Sequence, residues 1–223
     1  MASKYSKDHT IYRDSSGDEV PSVTTVLSVL SKSNLVPWAN WMGLKGIRYR
    51  DYMMERARMG TDFHDMVSKF TMGKEIDGTH YQDAIDSFKL FRIWAERCQY
   101  QVIASEEALS CDEFGGTIDA ISLHNGEYAV CDYKTSKGIY SSMFLQLAGY
   151  SILIKKNLPD TYDMIKKFGI VSVTTEKVSE RFLPKERIEE LYVPMFKDLL
   201  KAFNMWYKIN KEDWNSNIAT DRG

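Results

Sequence analysis

His124-Asn-Gly-Glu127 constrains this chain more than any other stretch. Asn-Gly between alternating apolar residues signals a two-residue hairpin, because both central residues of a type I′ turn need positive φ. With Asn125-Gly126 as the loop, His124 faces Glu127 and Leu123 faces Tyr128, and the strands zip backwards one pair at a time. Ile121 then faces Val130, Asp119 lies opposite Asp132, and Thr117 lies opposite Lys134. Strand side chains alternate between faces, so Asp119, Asp132 and Lys134 share one. Directly opposed β-carbons lie about 4.5–5.5 Å apart, and like charges so placed destabilise a sheet. A single strand aspartate is ordinarily a solvated residue on an outer face. Two opposed aspartates with a lysine beside them need a positive partner between them, and a divalent cation meets that need. A slip of one residue would send the pair to opposite faces.

Downstream, Gln146 and Tyr150 are four apart on a helix expected over 141–156 and so share a face, where apolar packing is the plain alternative for the tyrosine. Upstream, Gly60-Thr-Asp-Phe-His64 places a histidine near a helix start, commonly a capping or surface position. Adjacent strand residues point to opposite faces, so at most one of Glu106 and Glu107 reaches a cation at the aspartates. The pattern does not choose between them, and Glu107 is carried forward as the expected ligand.

Gly115-Gly-Thr-Ile-Asp119, Asp132-Tyr-Lys134 and Gln146-Leu-Ala-Gly-Tyr150 follow one another at ordinary spacing. In this the chain resembles the PD-(D/E)XK nuclease superfamily, in the RecB-like exonuclease branch that includes phage exonucleases and the mitochondrial genome-maintenance exonuclease. The branch pattern is a Gly-x-hydrophobic-Asp strand, an Asp/Glu-x-Lys strand and a helix bearing Gln-x-x-x-Tyr. Its upstream Gly-x-x-x-His helix is matched by Gly60 to His64, and its early glutamate by Glu106 or Glu107. The resemblance covers roughly residues 20 to 175. Ile118 stands where the superfamily name has proline, as is common in the branch. Iron–sulfur members need more cysteine thiolates than Cys98, Cys111 and Cys131 supply, which excludes a cluster.

The resemblance implies a metal-dependent DNA exonuclease acting at DNA ends or on single strands. The alternatives are a structure-specific or restriction-like endonuclease on the same core, or a non-catalytic DNA- or partner-binding module. It implies Mg²⁺ or Mn²⁺, one or two ions, held by Asp119, Asp132, the Tyr133 carbonyl, His64 and Glu107. Lys134 would orient or deprotonate the attacking water. Gln146 would position the lysine or the DNA backbone, and Tyr150 would touch backbone or base. Thr135 and Ser136 offer hydroxyls to a phosphate, or simply end the strand. Aromatic and basic residues over 38–58 (Trp38, Trp41, Lys45, Arg48, Tyr49, Arg50, Arg56 and Arg58), Trp41 and Arg48 foremost, are candidates to line a DNA channel by stacking and phosphate contact, or else form a solvated basic helix with aromatic packing. A recombination or replication protein is an expected partner; oligomeric state is left open.

The rest of the sequence sets the frame. At 223 residues and 43% hydrophobic content, one domain with helical additions is expected. Three cysteines without a paired framework point to reduced thiols. Met1-Ala-Ser-Lys-Tyr-Ser-Lys has no apolar run of a leader, and no stretch approaches the ~18 apolar residues of a membrane span. An intracellular, cytoplasmic location is therefore expected, including the host cytoplasm if the protein is phage-encoded. A net charge of −2 argues against bulk coating of nucleic acid, and less against phosphate contact confined to one groove.

The expected fold class is α/β (α+β): a mixed central sheet flanked by helices, with a PD-(D/E)XK restriction-endonuclease-like core. A helical region (1–97) leads into a catalytic core (98–176) and a C-terminal helical region (177–223). Tyr5, Ile11, Tyr12 and Val20 suggest a hairpin around Ser15–Asp18. Helices are expected from Ser22 to Leu30, from Leu35, over 44–59, from a cap at Thr61 to Phe70, and over 79–97. Strands are expected at 100–109, 116–123, 128–135 and 168–175. A last helical stretch over 185–210 is expected to be divided by Pro194.

Overall fold

The computed structural model describes residues 10–30 and 35–220, with side chains to residue 210. Tyr5 lies outside the described residues. The rest of the N-terminal hairpin forms, with β1 (Tyr12–Arg13) paired to β2 (Glu19–Val20). Ser22 caps α1 (Val23–Val26), its hydroxyl accepting the Thr25 N–H, and a 3₁₀ turn at Leu27–Val29 completes that segment. Next come α2 (Leu35–Leu44), α3 (Tyr49–Thr71) and α4 (Gln82–Arg97).

One long α3 replaces the two helices expected on either side of Gly60-Thr61. Thr61 does not cap; its hydroxyl donates to the Ala57 carbonyl one turn back, so it is satisfied inside the helix. His64 therefore sits mid-helix rather than in a first turn. Gly60 marks where α3 crosses the end of the central sheet, since a β-carbon there would lie 3.5 Å from Thr135 Oγ1.

The sheet comprises β3 (Gln101–Ser110), β4 (Gly115–His124), β5 (Glu127–Lys134), then α5 (Met143–Asn157), α6 (Pro159–Met164), β6 (Lys167–Val173) and β7 (Val178–Pro184). Its spatial order follows the chain, and every neighbouring pair is antiparallel except β5 and β6, which α5 joins in parallel. This is the expected mixed sheet flanked by helices. β7 was not expected: it is a partly exposed edge strand whose Val178-Ser-Glu-Arg-Phe-Leu-Pro carries little apolar signal. After it, α7 (Lys185–Arg187) widens into a π turn at Ile188–Tyr192 and continues as α8 (Val193–Thr220). Pro194 thus falls in the first turn of α8, where its missing N–H is tolerated, rather than dividing a helix.

Alternation along β5 builds a core on each face. Val130 joins Phe144, Leu147 and Leu153 of α5 with Val23, Phe196 and Leu200. Cys131 and Tyr133 join Phe63 and Val67 of α3 with Phe88, Phe91 and Trp94 of α4. Each buried aromatic or aliphatic side chain contributes about 1.5–3 kcal/mol, so both helical layers are firmly tied to the sheet. On α8, Phe196, Leu200 and Phe203 are buried, while Met195 and Trp206 face outward. Among the described residues, no helix is long and apolar enough to cross a membrane.

Candidate metal centre

The Asn125-Gly126 turn forms with φ of 53° and 78°, and the ladder runs from His124↔Glu127 back to Ala120↔Cys131 in the register read from the sequence. Regular pairing of β4 with β5 stops there, one residue short of the aspartates. Instead of a backbone partner, the Tyr133 N–H donates to Asp119 Oδ2 at 2.8 Å. β5 continues in parallel with β6, Asp132 opposite Ile170 and Lys134 opposite Ser172. Asp132 thereby stays locked in the sheet while Asp119 is aimed by its own hydrogen bond.

On the other side of β4, Ser105↔Ala120 and Glu107↔Ile118 flank Glu106, which takes φ of 54°. That left-handed conformation costs a non-glycine residue about 1–2 kcal/mol. Its result is a cluster in which ligand atoms of Glu106, Asp119 and His64 all lie within 4.8 Å of one another. His64 Nδ1 stands 3.7 Å from Asp119 Oδ1. The glutamate that reaches the centre is therefore Glu106, and the expectation for Glu107 is corrected: Glu107 pairs with Ile118 one residue away and is not in the cluster. Glu106→Gln is expected to weaken Mn²⁺ binding by roughly tenfold or more, because affinity follows ligand charge, with Glu107→Gln nearly neutral. Calorimetric titration of the two variants checks this, and the opposite ranking would restore Glu107.

Asp132 is fully buried, and its Oδ1 has no hydrogen-bond partner among the described residues. Its close neighbour is the Lys134 ammonium, 2.6 Å from Oδ2. Burial, reinforced by the charge of Asp119 and only partly offset by Lys134, pushes the Asp132 carboxyl up to about 6. Burial pulls the other way on Lys134, but Asp132 and Asp119 outweigh it and hold the ammonium above its ordinary value. Lys134 also donates to Gln146 Oε1 at 3.1 Å, and Gln146 Nε2 donates to the Tyr150 hydroxyl at 2.6 Å. The shared helix face of Gln146 and Tyr150 thus becomes a relay from lysine to phenol. Burial and the two aspartates raise the phenol well above its usual range, so it stays protonated. Gly116 gives the ring its place, since a β-carbon there would meet Tyr150 Cε1 at 2.8 Å.

The remaining candidates divide. Tyr133 buries its side chain against α3 and α4, its hydroxyl bonded to that of Tyr100, so only its backbone faces the centre. Thr135 lies at the strand end, its carbonyl accepting from Arg56, while the Ser136 hydroxyl donates to Gly138 within its own turn. Ser136 therefore ends the strand. One groove adjoins the centre, and a second opens at Thr135, one residue past Lys134. The first, of about 740 Å³, runs between the N-terminal hairpin and β3–β4, with Tyr12, Ser22, Thr25, Thr117, Glu106, Asp119 and Tyr150 in its walls. The other, of about 470 Å³, is bounded by Tyr52, Arg56, Thr135, Lys137 and Lys177 together with Asp83 and Glu176. Trp41 and Arg48 line neither; Trp41 is exposed on α2, and Arg48 pairs with Asp51.

No family model matches the chain, and no curated protein matches it. Solved structures do. One of them, titled "Crystal structure of SSO0001", shares 19% identity at a TM-score of 0.34, over 55% of this chain and 58% of that one. This chain therefore spans less than two thirds of that structure.

Proposed function

We propose that this protein is a metal-dependent DNA exonuclease of the PD-(D/E)XK kind, hydrolysing phosphodiester bonds from a terminus. The observation that carries this reading is the Asp132 carboxylate, fully buried, met by the Lys134 ammonium on Oδ2 alone and near enough to Asp119 to feel its charge. Buried carboxylates are normally satisfied on both oxygens; Asp132 lies outside the His64–Glu106–Asp119 cluster, and with it supplies oxygen donors suited to a hard divalent cation. When bound by Asp119, Glu106 and Asp132, with His64 alongside, Mg²⁺ or Mn²⁺ would supply Lewis acidity toward a phosphoryl oxygen and a more acidic water.

The chain's own groups do the rest. Lys134, fixed by Gln146 and kept protonated by the aspartates, presents N–H donors where charge develops on the phosphate. Tyr150 accepts from Gln146, which leaves its phenolic hydrogen for a ligand in the first groove. That groove has acidic and hydroxyl walls and, among the described residues, no Lys or Arg, whereas the second carries Arg56, Lys137 and Lys177 against Asp83 and Glu176. We assign a polyanionic strand to the second side, where three cations face two carboxylates, with the reacting phosphate near Thr135 just past the end of β5. Free, buried Cys98, Cys111 and Cys131 are compatible with the reducing, intracellular setting that belongs to this proposal.

A covalently closed single-stranded circle is expected to survive while the same sequence, linearised, is shortened from an end. Rapid cutting of the circle would favour an endonuclease on the same core. Arg56→Ala should weaken binding of the linear strand by roughly tenfold, the size of a charged hydrogen bond, with metal affinity unchanged. Trp41→Ala and Arg48→Ala should have smaller effects than Arg56→Ala; equal or larger losses would move the strand to α2.

A further inference from the structure

A second constellation of metal-ligating side chains sits at the opposite end of β4, five residues and so about 17 Å along the strand from Asp119. We propose that Cys98, His124 and Glu180 form a site for a thiophilic divalent cation of the zinc class, separate from the carboxylate centre. One ligand atom from each lies within 4.8 Å of the others.

Three different elements deliver them. Cys98 follows the last turn of α4, is buried, and its carbonyl accepts the Asn125 N–H at 2.9 Å, tying α4 to the hairpin loop. His124 is the last residue of β4, its ring layered between Phe182, 4.2 Å away, and Trp94, 5.8 Å away. Phe182 reaches it by crossing Gly169, where a β-carbon would collide with the ring at 2.3 Å. Glu180 comes from the edge strand β7. Its Oε2 accepts from Trp94 Nε1 at 2.7 Å and stands 3.1 Å from His124 Nε2.

The histidine is the telling member. Its side chain is 5% exposed, and Nδ1 is buried without any hydrogen-bond partner. A buried polar atom left unsatisfied costs about 1–3 kcal/mol, and stacking and the Glu180 contact at Nε2 leave Nδ1 unaccounted for. One sulfur, one nitrogen and one oxygen donor suit zinc rather than magnesium. Glu180, with 35% of its side chain exposed, opens the site to solvent and leaves a fourth position for water. Binding would expel the Cys98 thiol proton and clasp α4, the β4–β5 hairpin and the edge strand together.

Co²⁺ titration of the full chain, with excess Mg²⁺ to fill the carboxylate centre, tests this. A near-ultraviolet thiolate-to-cobalt charge-transfer band should rise to saturation at one equivalent and be displaced by Zn²⁺. Cys98→Ser, shown folded by circular dichroism, should lose the band. Glu180→Gln should weaken Co²⁺ binding by more than about tenfold, since changing even an outer partner of a metal has effects of that order. No band in the wild-type chain, or a band persisting in Cys98→Ser, overturns the site. If Cys98→Ser does not fold, unchanged affinity in Glu180→Gln overturns it.

Discussion

Asp132→Asn is expected to abolish metal-dependent cleavage while leaving the metal-free fold at least as stable as the wild type at pH 7. Removing one carboxylate takes a charge from the cation's donor set and leaves the reacting phosphate without neutralisation. Stability moves the other way because Asp132 is held in the sheet at a position that disfavours its ionised form. Its carboxyl titrates near 6 in the folded chain, above the ordinary aspartate value of about 3.9. The folded state therefore binds the proton more tightly. The stability this contributes is full below about pH 4 and is lost as pH rises through about 6, a loss of roughly 2–3 kcal/mol. Asparagine does not titrate, so metal-free Asp132→Asn should lack most of this decline; the loss of Lys134's partner tempers the gain. Thermal melts in EDTA between pH 4 and 7 measure the difference. Added Mn²⁺ should raise the wild-type melting temperature, increasingly so above pH 6 as the proton leaves, and should barely move the variant. A wild type that grows steadily more stable over that range, with Asp132→Asn tracking it, would remove the orphaned carboxylate from the account.

Lys134→Ala carries the second large effect, a loss of two or more orders of magnitude in cleavage rate with metal affinity kept or slightly raised. A preorganised donor to developing charge is worth about 10²–10³ in rate, which sets that size. The metal-affinity half follows from electrostatics, since Lys134 lies 2.6 Å from Asp132 and competes with a cation for the same oxygen. Single-turnover cleavage at saturating Mn²⁺, alongside calorimetric titration of the same variant, separates the two roles. Lost metal binding in a folded Lys134→Ala would mean that the lysine positions Asp132 rather than acting on the phosphate. Gln146→Ala should show a weaker form of the same phenotype, because Gln146 Oε1 fixes the ammonium without replacing it.

The hairpin could be read from sequence because Asn-Gly fixes both loop length and register, and register alone decides which residues share a face. Gln146 and Tyr150 were legible for a similar reason, a helix repeat that nothing interrupts. Glu106 was not, because an alternating strand gives it and Glu107 equal claims. Only the positive φ at Glu106, which no residue type there announces, turns it to the centre. The long α3 was hidden by Gly60-Thr61, a pair that usually ends helices; packing against the sheet and the Thr61 back-bond to Ala57 outweigh the local preference. β7 escaped because an edge strand needs only backbone pairing on one side and can be largely polar. The groove beside Thr135 was invisible for a different reason. Arg56, Lys137 and Lys177 come from three separate elements, and no spacing in the chain links them.

The most direct test of the central claim is digestion of a linear, end-labelled DNA oligonucleotide by the wild-type chain and by Asp119→Asn and Asp132→Asn. Reactions would run side by side in Mg²⁺, Mn²⁺ and EDTA. Progressive shortening by the wild type in metal, none in EDTA and none by either variant is the result expected. No cleavage of any DNA with either metal, or cleavage that survives both substitutions, would contradict it.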